Sequence, residues 1–208
     1  MYVPRANAMD EESGARALVA AVGAAELVTT GADGYPRATL LPVVWDGDVV
    51  TAHLARANEQ WRGIGVDTPA LLVVRGAQAY VSPSWYAAKR EHGRVVPTWN
   101  YSTVHLTGRA RVVEDPARLR DHVEALTRLH EGRRAEPWAV GDAPPAYVAG
   151  QLRGIVGVEV VVERVEGKAK LSQNRSVADR AGVVAGLRAE GGADAAAMAD
   201  EIAAGLDR

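Results

Sequence analysis

The chain has 208 residues, 48% of them hydrophobic, which suffices for the core of one large domain or two small ones. Its 24 Lys plus Arg against 26 Asp plus Glu leave a formal net charge of −2, so nothing global directs it to nucleic acid and any anion site must come from local clustering. The absence of cysteine excludes disulfides, thiolate metal sites and cysteine nucleophiles.

Asp10, Glu11, Glu12 and Arg16 interrupt any apolar stretch of signal-peptide length behind Met1-Tyr2-Val3-Pro4-Arg5. No segment approaches the roughly 18 apolar residues of a membrane span, so a cytoplasmic protein without a membrane partner is expected. The spacing of Ala15, Leu18, Val19 and Val22 predicts a helix from about Asp10 to Val22, ending near Gly23. β-branched runs follow: Ala25 to Thr30, Pro36 to Trp45 and Val49 to Leu54, separated by the turns Ala32-Asp33-Gly34 and Asp46-Gly47-Asp48. Asp-Gly between such runs predicts successive antiparallel hairpins.

Asn58 to Val66 reads as a short helix, and Ala70 to Val74 and Ala77 to Ser82 as strands around a turn at Arg75-Gly76. A loop is expected from Pro83 to Tyr101, then a strand from Val104 to Val113. Asp115 as N-cap and Pro116 at the first position open a helix to about His130, with Leu119, Val123, Leu126 and Leu129 on its apolar face. After a connection from Glu131 to Pro145 and a helical turn or two over Ala146 to Leu152, the valine-dense run Ile155 to Val165 predicts a buried strand. Gly167 to Arg175 is a polar, basic segment. Ser176 with Asp179 has the form of a capping box for a helix through Leu187, and Gly191-Gly192 precedes a last helix, Ala195 to Leu206. Six or seven strands joined mostly by hairpins imply a closed or nearly closed antiparallel barrel, with residues 1–170 forming the barrel and its inserted helices and 171–208 a helical extension of the same domain.

Four patches hold more polar chemistry than solubility requires. On the strand through Arg37, Ala38, Thr39, Leu40 and Leu41, alternation puts Arg37, Thr39 and Leu41 on one face and Ala38 and Leu40 on the other. It is either an edge strand with a solvated arginine or a strand lying beside a planar heterocycle. His53, Leu54, Ala55, Arg56, Ala57, Asn58 and Gln60 run from a strand into a helix start, where free N–H groups beside an arginine favour a phosphate. Tyr80 to Tyr86 with Trp99, Asn100 and Tyr101 is dense in aromatics for a chain with 5% of them, and suits a dimer interface or stacking on a flat cofactor. Lys168, Lys170, Ser172, Gln173, Asn174 and Arg175 form a basic segment, either a solvated turn or a site for a flavin phosphate contributed across a dimer or for the backbone of DNA. The five histidines show no metal-ligand spacing, and no Walker A loop, G-x-G-x-x-G or G-x-S-x-G motif is present.

At these patches the chain resembles the PaiB family of FMN-binding negative transcriptional regulators. The resemblance rests on MYVPR, on His53-Leu54-Ala55-Arg56-Ala57-Asn58 with Gln60-Trp61, on Tyr80-Val81-Ser82-Pro83-Ser84-Trp85-Tyr86, on Val96-Pro97-Thr98-Trp99-Asn100-Tyr101 with Val104-His105, and on Lys168 to Arg175. It departs at Glu59, where the family motif often has proline, and at Ala6, where an aromatic is common. The resemblance implies a mainly β protein with flanking helices, an antiparallel FMN-binding split barrel of the pyridoxamine-phosphate-oxidase kind, working as a homodimer with FMN between subunits. It further implies that Arg37 to Leu41 and Arg56 to Asn58 hold the flavin and its phosphate, and that Trp99 to Tyr101 and Lys168 to Arg175 close the site. A regulator or sensor follows; an FMN-dependent oxidoreductase or flavin reductase is the alternative, and a module that stores flavin or holds another planar ligand such as haem is a third. Helices over 176–187 and 195–206 superficially resemble a helix-turn-helix. The second carries Asp194, Asp200 and Glu201 with no cation before Arg208, which suits packing or dimerisation better than a phosphate-lined groove.

Overall fold

The computed structural model describes residues 1–9 and 12–206. The expected helix start at Asp10, with Glu11, and the terminal Arg208 lie outside the described residues. In chain order the elements are α1 (Glu12–Val22), β1 (Ala24–Thr30), β2 (Pro36–Pro42), β3 (Val44–Asp46), β4 (Val49–Ala55), β5 (Thr68–Val81), α2 (Ala88–Glu91), β6 (Thr98–Val113), α3 (Pro116–Glu131), α4 (Pro145–Arg153), β7 (Ile155–Lys170), α5 (Val177–Glu190) and α6 (Ala193–Ala204). The strands form one seven-stranded sheet of order β2-β1-β5-β6-β7-β4-β3, antiparallel in the pairings β1–β2, β1–β5, β3–β4 and β4–β7. No ladder joins the two ends, β2 and β3, so among the described residues the sheet is split and not closed. No helix is long and apolar enough to cross a membrane among the described residues.

The chain forms two compact units, one of Met1–Ala15, Arg75–Val104 and Glu166–Arg208, the other of Arg16–Val74 and His105–Val165. In the second unit the period-2 pattern of β-branched and aliphatic residues sets the core. Ala25, Leu27 and Thr29 of β1, Val50, Ala52 and Leu54 of β4, and Val156, Val158 and Val160 of β7 are all buried. The β1–β2 register pairs Leu27 with Thr39 and Thr29 with Arg37. Asp46 pairs with Val49 across the tight β3–β4 turn, where Gly47 supplies φ +51°. The expected single strand from Pro36 to Trp45 is instead two, because Val43, buried between them, gives its N–H to the carbonyl of Gly23 at 3.0 Å. At α3 the expected cap is present: the Asp115 carboxylate accepts the Arg118 N–H at 2.9 Å, and Pro116 occupies the first turn.

In the first unit α5 and α6 bury Val183, Leu187, Met198 and Ile202 with Ala79, Val81 and Tyr86, so these helices pack on the end of β5. Trp85 lies in a notch made by Gly182 and Gly186 of α5; an added Cβ would stand 2.1 Å from the Trp85 carbonyl oxygen at Gly182 and 2.3 Å from its ring at Gly186. Ser176 caps α5 by accepting the Asp179 N–H at 3.1 Å. The Asp179 carboxylate does not return the bond to the cap; it accepts from the Ala88 N–H at 3.0 Å, tying α5 to α2.

Three expected turns are regular structure. Gly76 has no positive φ, and β5 runs through Arg75-Gly76 without a break. β6 starts at Thr98, so Trp99, Asn100 and Tyr101 belong to a strand with alternating burial, and the preceding segment carries α2 and a 3-10 turn at Pro83–Trp85. β7 extends to Lys170, and the turn of the basic segment begins only at Ser172, which takes φ +61°.

Candidate functional site

In the second unit the turn after β4 is fastened to β2 by a saturated polar network. Asn58 caps the 3-10 turn Glu59–Gly63, its Oδ1 accepting the Gln60 N–H at 3.0 Å, and its Nδ2 donates to Thr39 Oγ1 at 3.1 Å. Thr39 in turn donates to Gln60 Oε1 at 2.6 Å. The buried Gln60 amide gives its N–H groups to the Leu27 carbonyl, Thr29 Oγ1 and the Arg37 carbonyl, each at 3.1 Å. A buried primary amide must fill its donors and acceptor or carry their desolvation cost, and here every one is used. Sequence reasoning offered Asn58 to a phosphate and Gln60 to the cofactor; here both hold β2 against the turn.

Beside this network lies a cleft of about 190 Å³ whose lining includes Gly31, Arg37, Gln60, Arg62 and Gly63, with the carboxylate of Glu59 also on its wall. Below the roughly 300 Å³ of a drug-sized pocket, it suits an anion such as phosphate and not a ring system. Gly31 makes it: a Cβ there would meet Arg37 Nε and Asp33 Oδ1, each at 2.6 Å. The two guanidiniums are ion-paired to exposed carboxylates, Arg37 to Asp33 at 3.2 Å and Arg62 to Glu59 at 3.0 Å, and Arg62 also lies 5.7 Å from the Trp61 ring centroid. The Tyr35 amide above all, helped by the Arg37 guanidinium, outweighs the opposing effect of desolvation and holds the Asp33 carboxyl below the usual carboxylate range. Next to the cleft, β2 is an end strand whose outer face, Ala38 and Leu40, is exposed, Leu40 at 66%, while Leu41 points into the core. Arg62 was not singled out by the sequence; a cation three residues after a capped turn start was the available signal.

Arg56 has a different fate. Its Nη1 donates to Glu114 at 2.7 Å, its Nε to the Arg153 carbonyl at 3.1 Å and its Nη2 to the Ile155 carbonyl at 3.3 Å, while Trp61 donates its indole N–H to the Arg56 carbonyl. The guanidinium clamps the end of β4 to the α4–β7 junction. Leu54 is buried, and Ala55 and Ala57 carry the chain into the turn.

His53 faces α3, not the cleft, because β4 alternates and Leu54 takes the inward position. Its Nδ1 lies 3.0 Å from His122 Nε2, and His122 Nδ1 lies 3.1 Å from Thr51 Oγ1. With the Thr51 hydroxyl given to the Val44 carbonyl at 3.5 Å, its oxygen accepts from His122, and the proton order is His53 N–H to His122 Nε2, then His122 N–H to Thr51, both imidazoles neutral. Burial, then repulsion from His53, pushes His122 down to about 4 despite the opposing pull of Glu159, and burial also lowers His53. Glu159 is itself bound by Arg111 at 2.7 Å and by Arg118. Among the described residues no cluster of three or more His, Asp or Glu could hold a metal ion.

In the first unit the expected flavin-closing residues are largely engaged internally. Asn100 is fully buried, its Nδ2 donating to Ser172 Oγ at 2.9 Å, and its Oδ1 has no hydrogen-bond partner among the described residues. Lys168, 8% exposed, donates to the Tyr2 carbonyl at 3.1 Å and sits 5.1 Å from the Tyr101 ring centroid. Lys170 donates to Thr98 Oγ1 at 2.6 Å; Gln173 bonds the Ala169 carbonyl and the Leu171 N–H; Arg175 lies over the Tyr86 ring at 4.6 Å. Asn174 is exposed. Trp99 is half-exposed beside Tyr80 and donates its indole N–H to Gln78 Oε1 at 3.3 Å.

The family model described as "Putative FMN-binding domain" matches residues 1–164. The chain is similar to the protease synthase and sporulation protein PAI 2 of Bacillus subtilis, with 35% identity over 177 residues that cover 83% of each chain. Among solved structures it is similar to the FAD and heme binding protein of Mycobacterium smegmatis, with a TM-score of 0.59, 17% identity, and coverage of 79% of this chain and 73% of that one. A conserved hypothetical protein of Mycobacterium tuberculosis gives a TM-score of 0.59 at 16% identity, covering 84% of this chain and 92% of that one. At such identities the two structures speak for the fold alone.

Proposed function

The chain belongs to the family of FMN-binding domains, and from that premise we propose that it holds FMN with its phosphate between Arg37 and Arg62 and its isoalloxazine against the backbone of Ala38 to Leu41, as a homodimer with a regulatory output. The observation that carries this reading is the glycine-floored cleft with two lightly committed guanidiniums beside an end strand. The residues fit the group. Guanidinium forks match phosphate oxygens. The outer edge of β2 offers backbone donors and acceptors to a heterocycle, and the Gln60–Thr39–Asn58 network fixes that edge in place. Bound FMN supplies a ring that accepts one or two electrons.

Exposed Leu40, with Ala38 and Tyr35, supports a second copy covering the outer face of β2. Asn100, Lys168 and Ser172 take a structural part in this reading, since they are buried and bonded to the protein. The exposed carboxylates Glu190 and Asp194 argue against DNA reading by α5 and α6, so the regulatory output is not assigned to those helices.

Absorbance of the purified protein at the flavin bands and an FMN titration test the reading. The double variant Arg37→Ala/Arg62→Ala is expected to weaken FMN binding about 10- to 100-fold, the effect of removing one or two charge-assisted contacts, while leaving the thermal midpoint near wild type. Unchanged affinity would move the phosphate away from this cleft. Sedimentation measures the dimer, and steady NAD(P)H oxidation by the FMN-loaded protein would turn the reading toward the oxidoreductase alternative.

A further inference from the structure

We propose that the open groove between Tyr80, Trp99 and the α5–α6 turn binds a small organic cation, a quaternary ammonium or a protonated alkylamine. It has a volume of about 670 Å³ and is lined by Gln78, Tyr80, Trp99, Glu190, Asp194 and the glycines between the helices. Two aromatic rings are left on its wall. Tyr80 is 44% and Trp99 48% exposed, their centroids 6.5 Å apart and their planes tilted by 56°, and the indole is oriented by its bond to Gln78. Exposed rings that present π faces at an angle attract cations through their quadrupoles.

The charge of the lining points the same way. Its only ionisable side chains besides Tyr80 are the carboxylates of Glu190 and Asp194; no Lys or Arg lines the groove. Neither carboxylate has an ion pair among the described residues, whereas Asp200 on the same helix as Asp194 is matched by Arg188 at 3.0 Å. The C-terminal carbonyls of α5 favour a cation and the N-terminal amides of α6 oppose it, so these partial charges largely cancel and the two carboxylates set the sign. A phosphate or another anion is therefore disfavoured here. Gly191 and Gly192 turn the chain with φ +78° and +90°, and a Cβ on either would meet nothing within 4 Å, so the turn leaves the mouth open. The inference stands independently of the flavin reading, and it gives Trp99 a ligand other than the flavin that the sequence suggests.

The test is a titration of the full chain with choline, followed at the Trp99 indole N–H in an NMR spectrum assigned with Trp99→Phe, and repeated with 3,3-dimethylbutan-1-ol, the neutral isostere. Choline is expected to shift that signal saturably with a dissociation constant of roughly millimolar order, as two exposed cation–π contacts with nearby carboxylates allow. The alcohol should bind about tenfold or more weakly, and Glu190→Gln/Asp194→Asn should weaken choline at least about fivefold while leaving FMN affinity and the other indole signals unchanged. No saturable shift, equal binding of the alcohol, or a double variant that binds choline as well as wild type would each overturn the proposal.

Discussion

Replacing His122 with Gln should remove a pH dependence of stability that the fold has built in. Unfolded, His122 takes a proton near its ordinary value of 6.5; folded, it resists one down to about 4. Between these values the unfolded chain binds more protons than the native one, so stability falls as pH falls through 6.5 and continues to fall until the native imidazole also titrates. The lowered group thus contributes stability that is complete above pH 6.5 and lost on acidification. Going from pH 7 to pH 5, linkage gives a loss of about 2 kcal/mol from His122 alone. His53 is shifted in the same direction by burial and adds to the loss.

The structural reason is specific. Protonated His122 would present N–H to the N–H of His53 across a 3.0 Å contact, so the pair cannot charge without one ring changing its tautomer. Urea unfolding followed by far-ultraviolet circular dichroism at pH 7, 6 and 5 reads the effect. Wild type should lose stability steadily over this range, and His122→Gln should lose about 2 kcal/mol less between its ends, whatever its stability at pH 7. Equal slopes for the two proteins would refute the reasoning and assign the acid sensitivity to carboxylates.

Two substitutions separate structural roles from binding roles. Arg56→Ala should lower unfolding stability by about 1–2 kcal/mol, because it frees the carbonyls of Arg153 and Ile155 and the exposed Glu114, yet change FMN affinity far less than loss of Arg37 and Arg62; denaturant titration and flavin titration on one sample check it. Gly182→Ala drives a methyl to within 2.1 Å of the Trp85 carbonyl oxygen, a backbone atom that cannot rotate away, so α5 must shift, and a cost of about 3 kcal/mol should appear as a lowered thermal midpoint.

The sequence carries those features whose cause is local. The Asp115-Pro116 helix start, the Gly34 and Gly47 turns and the valine-rich β7 rest on neighbours a few residues away, and each is found where the chain chemistry puts it. Where a residue's setting is decided across the fold, local reading fails. Arg75-Gly76 resembles a turn, but Gly76 has no positive φ and lies within β5, whose buried positions change phase there, from Ala70, Leu72 and Val74 before it to Ala79 and Val81 after it. Trp99-Asn100-Tyr101 is polar enough for a loop, yet Asn100 is carried into the interior by β6 and met by Ser172, 72 positions away. His53 and His122 are individually unremarkable in the sequence; their contact spans 69 positions and exists only because β4 and α3 pack together.

The same distinction bears on how an anion site is found. Counting cations near a turn favours Arg56, and a family resemblance favours it again, but a guanidinium already giving N–H groups to a carboxylate and two carbonyls has little left to offer without undoing a junction. Arg111 and Arg118 are likewise committed, both to the mostly buried Glu159. Arg37 and Arg62 each hold a single exposed carboxylate, and such pairs contribute only about 0–1 kcal/mol. A phosphate carrying two charges can exchange for those partners at small cost and gain a forked contact in return. In this protein the cations available to a ligand are the ones that the fold uses least.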